Sequence, residues 1–235
     1  MGTVSELRPP KILLVEDDAV IREATALGLR RNGFDVVTAA DGPEGLAAFA
    51  RELPALALLD VMLPGLDGVA LCREIRRESQ IPIVFLSARS DAIDVVLGLE
   101  AGADDYVTKP FEPAVLAARL RASLRRATVE TTSTAPAREQ IGSIELDRGG
   151  HEVSRNGEAV GLTPTEYKLF VELADHAGMV LSRQVLLERV WGYGWAGDTR
   201  LVDVHIQRLR AKVEDDPANP RTILTVRGVG YKLQR

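Results

Sequence analysis

The first half of the chain alternates two kinds of hydrophobic pattern. Unbroken apolar runs at residues 12–15, 55–59 and 81–86, the last interrupted only by Pro82 near its start, are too short for buried helices. They read as strands covered on both faces. Residues 34–39 and 105–107 add two further strands. Helix-period segments separate them. The first places Val20, Ile21, Ala24, Leu27 and Leu29 on its apolar positions and ends near Asn32-Gly33, and the second is opened by Asp41-Gly-Pro-Glu and carries Leu46 and Phe49. Others are predicted from Asp67-Gly68 to about Arg77, over residues 91–101, and over residues 113–126. Five strand–helix repeats in residues 10–126 predict an α/β domain with a parallel, doubly wound sheet; residues 1–10 read as disordered.

The pattern then changes. Residues 127–140, rich in Thr, Ser and Ala and without apolar periodicity, read as a flexible linker. A second domain, residues 141–235, opens with strands at 141–146 and 152–155, a hairpin turn at Asn156-Gly157 and a returning strand at 159–162. Thr163-Pro-Thr-Glu is a capping box with proline at the first helical position, followed by an apolar stripe of Tyr167, Leu169, Phe170 and Leu173. A helix from Ser182, a third over about residues 199–214 and a terminal hairpin at 223–233 complete an α+β winged helix.

Composition narrows the function classes. At 235 residues the chain fits two domains, each large enough for its own core. A net charge of −5 argues against a globally basic nucleic-acid binder and leaves local patches open. No apolar run reaches a membrane span and the first residues lack a signal-peptide pattern, so the protein is expected in the cytoplasm. The single cysteine, Cys72, sits on an apolar helical pattern and reads as a core residue.

The candidate chemistry lies at strand ends. In a parallel sheet of this kind the carboxyl ends of the strands converge on one edge. That edge would gather Glu16 and Asp17, Asp60, Ser87 and Lys109. Crowded carboxylates repel one another, and a divalent cation with oxygen ligands holds them ionised; Mg²⁺ fits, because it pairs one or two carboxylates with a phosphate. A lysine and a hydroxyl opposite suit phosphoryl oxygens, which makes Asp60 a candidate nucleophile for phosphoryl transfer. Each residue also has a plainer reading, as a turn cap or a surface charge.

Val-Glu-Asp-Asp at 15–18, Leu-Asp-Val-Met-Leu-Pro-Gly-Leu-Asp-Gly at 59–68, Leu-Ser-Ala-Arg at 86–89 and Gly-Ala-Asp-Asp-Tyr-Val-Thr-Lys-Pro-Phe at 102–111 together resemble the receiver domain of two-component response regulators, a flavodoxin-like fold. The resemblance implies that Asp60 accepts a phosphoryl group from a sensor histidine kinase. It implies further that Glu16, Asp17, Asp60 and the Met62 carbonyl arrange Mg²⁺, that Ser87 and Lys109 bind phosphoryl oxygens, that Tyr106 is the switch aromatic, and that Lys109–Pro110 is cis. It also implies a homodimer through Glu100, Asp104, Asp105, Arg119, Arg121 and Arg126, with Val95 and Val115 where many relatives place an ion pair. A Mg²⁺-dependent aspartyl phosphohydrolase is the enzymatic alternative, but such enzymes place a second acid two residues on, where this chain has Met62. A phosphate-independent binding protein is the other, and the complete set of acids, Ser87 and Lys109 argues against it.

The third helix of the second domain carries a separate chemistry. Leu201, Val204, Leu209 and Val213 face the core, leaving Arg200, His205, Gln207, Arg208, Arg210 and Lys212 toward solvent. The domain holds 13 Lys and Arg against 13 Asp and Glu, but from 199 to 212 four basic residues meet only Asp203. Such a helix suits the major groove, where Arg reads guanine and Gln reads adenine; a solvated basic helix has the same pattern. Thr-Pro-Thr-Glu-Tyr-Lys-Leu at 163–169, Val-Trp-Gly at 190–192, Val-Asp-Val-His-Ile-Gln-Arg-Leu-Arg at 202–210 and Thr-Val-Arg-Gly-Val-Gly-Tyr at 225–231 resemble the effector domain of the OmpR/PhoB subfamily. By that resemblance Arg200, His205, Gln207, Arg208 and Arg210 face promoter DNA with tandem half-sites, Thr225 touches phosphate, Arg227 enters the minor groove, and residues 192–198 face RNA polymerase.

Overall fold

A computed structural model describes residues 8–88, 97–127, 137–192 and 198–235. The expected helical residues 91–96, the central part of the linker and most of the 192–198 loop lie outside the described residues. The chain divides into two compact units, Met1–Arg121 and Ala122–Arg235.

In the first unit β1 (Lys11–Val15), β2 (Asp35–Ala39), β3 (Leu56–Asp60), β4 (Ile83–Ser87) and β5 (Asp105–Thr108) form one parallel sheet in the order β2-β1-β3-β4-β5. The central strands β3 and β4 are buried at every position, whereas the edge strands β2 and β5 are only partly buried. This is why the central strands read as continuous apolar runs. Helices α1 (Ala19–Arg31), α2 (Gly42–Glu52), α3 (Gly68–Glu78) and α4 (Pro113–Ala127) follow strands, and residues 97–100 are helical. In α1 the buried face is Thr25, Ala26 and Leu29; Val20 and Leu27, two turns apart, share the outer face and are exposed, contrary to the apolar stripe expected there.

Aspartates open three of the helices. Asp18 accepts from the Val20 and Ile21 amides at 2.8 and 2.9 Å, Asp41 from Glu44 at 2.8 Å, and Asp67 from Ala70 at 2.7 Å. Each thereby satisfies amides that the first turn leaves unbonded. Because Asp18 and Asp67 do the capping, Glu16, Asp17 and Asp60 are left at the strand ends for other work.

The second unit contains a four-stranded antiparallel sheet, β6 (Arg138–Ile141), β7 (Ile144–Asp147), β8 (Glu152–Arg155) and β9 (Glu158–Ala159). The strand expected at 141–146 is therefore two strands joined by a turn at Gly142, β6 begins inside the stretch read as linker, and the returning strand is shorter than expected. Helices α5 (Pro164–Asp175), α6 (Arg183–Trp191) and α7 (Arg200–Val213) follow. A second sheet pairs β10 (Leu181–Ser182), β12 (Gly230–Leu233) and β11 (Ile223–Val226), in that order. The β11–β12 hairpin is the wing. The capping box closes as expected, with Glu166 N bonded to Thr163 Oγ1 at 3.3 Å and Thr163 N to Glu166 Oε2 at 2.9 Å. No described helix is long and apolar enough to cross a membrane.

Gly68 fixes the approach of α3 to the end of β3, because a Cβ there would lie 1.9 Å from the Asp60 carbonyl oxygen. Gly68→Ala is expected to destabilise the first unit by about 2 kcal/mol or more, as overpacking against backbone does. Urea unfolding of the full chain, followed by backbone circular dichroism, measures this.

Candidate functional site

The ends of β1, β3 and β4 and the residue after β5 meet at one edge of the parallel sheet. Glu16, Asp17 and Asp60 each offer a carboxylate oxygen, and these lie within 4.8 Å of one another. Glu16, Asp60 and Ser87 are buried and Asp17 is exposed, so the cluster opens to solvent on one side. Lys109 Nζ donates to Glu16 Oε2 at 2.6 Å and to Asp60 Oδ2, and its amide donates to the Ser87 carbonyl at 2.7 Å. Asp60 Oδ1 accepts from the Met62 amide at 2.8 Å, so Asp60 also closes the turn after β3. The Lys109–Pro110 peptide is cis, as expected.

Three acids face one lysine, and the electrostatics follow. Burial pushes the Glu16 carboxyl above its ordinary value; the hydrogen bond from Lys109 opposes this and the neighbouring Asp60 charge adds to it. Burial alone would weaken the Lys109 ammonium, but hydrogen bonds to Asp60 and Glu16 raise its pKa above the usual lysine value. The lysine is doubly served while the acids remain short of positive charge. A set of oxygen donors in this condition suits a hard divalent cation, and Mg²⁺ fits its chemistry.

The expected dimer surface is altered by burial. Asp104 is fully buried and engaged within the unit, accepting from Arg76 Nη2 at 2.6 Å and from the Ile83 amide at 2.9 Å. Asp105 is buried and accepts from the Tyr106 amide at 2.7 Å. Arg126 is buried and donates to Ser123 Oγ, one turn back on α4, at 2.6 Å. Asp104, Asp105 and Arg126 are therefore buried, where the dimer surface implied by the resemblance would have them exposed. Glu100 and Val115 are exposed, Arg119 is half-buried and donates to the Tyr106 carbonyl at 3.2 Å, and Arg121 is exposed with its guanidinium 5.4 Å from the Phe34 ring centroid. Tyr106 is half-buried; Val95 lies outside the described residues.

On α7 the structure separates residues that the sequence had grouped. Gln207 is exposed, as are Thr225 and Arg227 on the wing. His205 is fully buried, which corrects its expected place toward solvent: it follows Leu201 and precedes Leu209 by one turn each, on the core face. Its Nδ1 lies 2.8 Å from the Leu201 carbonyl and its ring meets Trp191 edge-on at 5.1 Å. Arg208 and Lys212 bind opposite oxygens of Glu166, at 2.7 and 2.6 Å. Arg200 pairs with Asp198, and Arg210 donates to the Ile223 carbonyl and to Thr225 Oγ1. Sequence reasoning found Glu166 as a cap and missed it as the anchor of α7; the one-turn spacing of Arg208 and Lys212 was the available signal.

One unit thus gathers three strand-end acids and a lysine at a sheet edge, and the other carries a basic helix beside a β-hairpin wing. Residues 12–121 match the response regulator receiver domain and residues 157–233 the C-terminal domain of transcriptional regulatory proteins. The chain is 59% identical over 232 residues to the transcriptional regulatory protein CseB of Streptomyces coelicolor, covering 95% of this chain and 97% of that protein. It is 52% identical over 222 residues to the DNA-binding response regulator MtrA of Mycobacterium tuberculosis, covering 94% and 96%. Among solved structures it resembles the response regulator DrrB of Thermotoga maritima, at 35% identity, TM-score 0.51 and coverage of 97% and 100%. A RitR mutant is similar at 30% identity, TM-score 0.73 and coverage of 96% and 99%. The chain belongs to the OmpR/PhoB family of DNA-binding two-component response regulators.

Glu166 makes a pH prediction. Burial would raise its carboxyl, but Arg208 and Lys212 hold it below the ordinary 4.5. A carboxyl depressed in the folded state stabilises above its unfolded pKa and loses that stabilisation as pH falls through the folded value. Both tryptophans, Trp191 and Trp195, lie in the second unit, so their fluorescence reports its unfolding alone. The unit is expected to weaken as pH drops below about 4.5, and Glu166→Gln is expected to cost about 3 kcal/mol at neutral pH while flattening that acid dependence.

Proposed function

We propose that Asp60 is the phosphoacceptor and that its phosphorylation promotes receiver dimerisation and binding to tandem promoter half-sites. The observation that carries this reading is the junction of Asp60 with Lys109, Glu16 and Asp17 at one sheet edge. An Asp60 carboxylate oxygen forms a bond to phosphorus as the phosphorus–nitrogen bond of the kinase phosphohistidine breaks, with the electron pair returning to the imidazole. Glu16, Asp17 and Asp60, with the Met62 carbonyl, would hold Mg²⁺, which when bound supplies positive charge against the phosphoryl oxygens. Lys109 already touches Asp60 and supplies a compact cation to the transferred group, and Ser87 supplies a hydroxyl. Tyr106, half-buried on β5, is the group that senses the change at Ser87. The dimer forms through the exposed part of the α4 face, with Glu100, Val115, Arg119 and Arg121.

In the second unit, Gln207 reads a base edge, Arg200, Arg208 and Arg210 meet DNA through the parts their ion pairs leave open, Thr225 meets phosphate and Arg227 enters the minor groove. The segment 192–198 is offered to RNA polymerase. The protein works as a transcription factor in the cytoplasm.

Asp60→Asn is expected to abolish labelling by acetyl phosphate and dimerisation under beryllofluoride, while leaving weak DNA binding. Normal labelling of that variant would refute the phosphoacceptor assignment. Arg227→Ala is expected to weaken binding to a selected duplex and to reduce the salt slope by about one. Titrations at several salt concentrations test this, and an unchanged slope removes Arg227 from the contact surface.

A further inference from the structure

The wing and the DNA-reading helix are joined at one aromatic residue. Tyr231, on β12, is buried, and its hydroxyl donates to Asp203 Oδ1 on α7 at 2.6 Å. The same oxygen accepts from Arg183 Nε at 2.6 Å, so the start of α6 ends on that carboxylate too. The guanidinium carbons of Arg183 and Arg210 lie 5.0 and 5.6 Å from the Tyr231 ring centroid, within cation–π reach. Across the hairpin, Tyr231 faces Thr225. Arg210 of α7 donates to Thr225 Oγ1 at 2.8 Å and to the Ile223 carbonyl. Each strand of the wing thus has its own tie to α7: β12 through Asp203, β11 through Arg210.

Position and energetics both give these ties weight. Asp203, Gln207 and Arg210 follow at four- and three-residue spacing on one face of α7, so the two ties bracket the exposed Gln207. A two-stranded hairpin is marginal by itself, and on its other edge β12 pairs only with the two-residue β10. The base of the hairpin is held by buried Ile223 and Leu233 and by Glu214, whose carboxylate accepts from the Arg221, Thr222 and Ile223 amides. The Tyr231 and Arg210 bonds tie the wing to α7 further along, and a hydroxyl bonded to a carboxylate is among the stronger of such bonds.

We propose that Tyr231 is a positioning residue for DNA recognition: its bond to Asp203 holds the wing at one setting against α7, so that Arg227 and Gln207 engage the same duplex. The proposal rests on reading Arg227 as a DNA contact. It goes further by making the contact conditional on a residue that itself stays buried.

The test is a double-mutant cycle on the full chain, bound to the duplex that the unaltered chain enriches from a random pool. The variants are Tyr231→Phe, Arg227→Ala and the two combined; phenylalanine keeps the ring and removes only the hydroxyl. Tyr231→Phe is expected to weaken binding about tenfold and to add nothing once Arg227 is alanine. Asp203→Ala, which cuts the bond from the other end, is expected to show the same dependence on Arg227. Tyr231→Phe binding as tightly as the unaltered chain, or losses that multiply in the double variant, overturn the proposal and leave Arg227 as a contact. Arg227→Ala binding as tightly as the unaltered chain overturns the wing reading and the proposal with it. Tryptophan fluorescence melts accompany the cycle, and loss of the fold in both Tyr231→Phe and Asp203→Ala would make the bond a stability element and overturn the positioning role.

Discussion

Three carboxylates brought to one edge of a sheet repel one another, and a single lysine cannot neutralise them. The first unit is arranged around keeping that mismatch in place. Glu16 and Lys109 are 93 residues apart in sequence, yet their side chains meet at 2.6 Å because the inner strand β1 and the edge strand β5 run parallel in one sheet and end at the same edge. The sheet supplies the rigidity that repulsion would otherwise relax. The turns supply the rest: Asp18 and Asp67 take the capping positions, so the acids at the strand ends are not absorbed by helix starts. Gly68 lets α3 come close enough to hold the end of β3 from the other side. The outcome is a negative site that is short of positive charge, which is the condition that favours a divalent cation with oxygen ligands.

The second unit solves an opposite problem. Basic side chains presented at a surface lose conformational freedom when they are aimed. On α7 the aiming is done within the unit. Glu166, buried by the fold that its own capping box begins, fixes Arg208 and Lys212 from beneath. Asp203 fixes Arg183 and Tyr231, and Arg210 is held by the wing backbone. Glu166 and Asp203 therefore act as anchors that orient the cations they touch.

The strand-end chemistry was legible in the sequence because chain order alone determines it: a buried run ends, a polar residue follows, and parallel topology puts all such ends together. Lys109 and Glu16 could be paired without knowing a single torsion angle. Side chains on helices were less legible. Periodicity gives an angular position, not a depth, so His205 was placed toward solvent although it lies one turn from Leu201 and Leu209 on the core face. The depth of Asp104 was hidden for a related reason: its partner Arg76 lies 28 residues earlier, and the linear pattern does not show that the two meet. Residues 141–146 alternated well enough to read as one strand, and only the positive φ of Gly142 reveals the turn that splits them. Long-range side-chain partners, and turns inside a plausible period, are what a linear pattern does not encode.

The equal numbers of acidic and basic residues in residues 141–235 have a physical sense in this light. Were the acids scattered at random, they would simply cancel the field that attracts a phosphate backbone. Instead Glu166 is fully buried, its Arg208 partner is mostly covered, and Thr225 and Arg227 remain exposed at the wing. A buried carboxylate is far less able to repel a phosphate across solvent than to hold a cation it touches, because hydrogen-bonded contact and low local dielectric favour the near partner. Net charge is thus a poor guide to this surface, because it counts the buried Glu166 and Glu214 equally with exposed acids such as Glu158 and Asp215, and the depth at which each acid sits is the better guide.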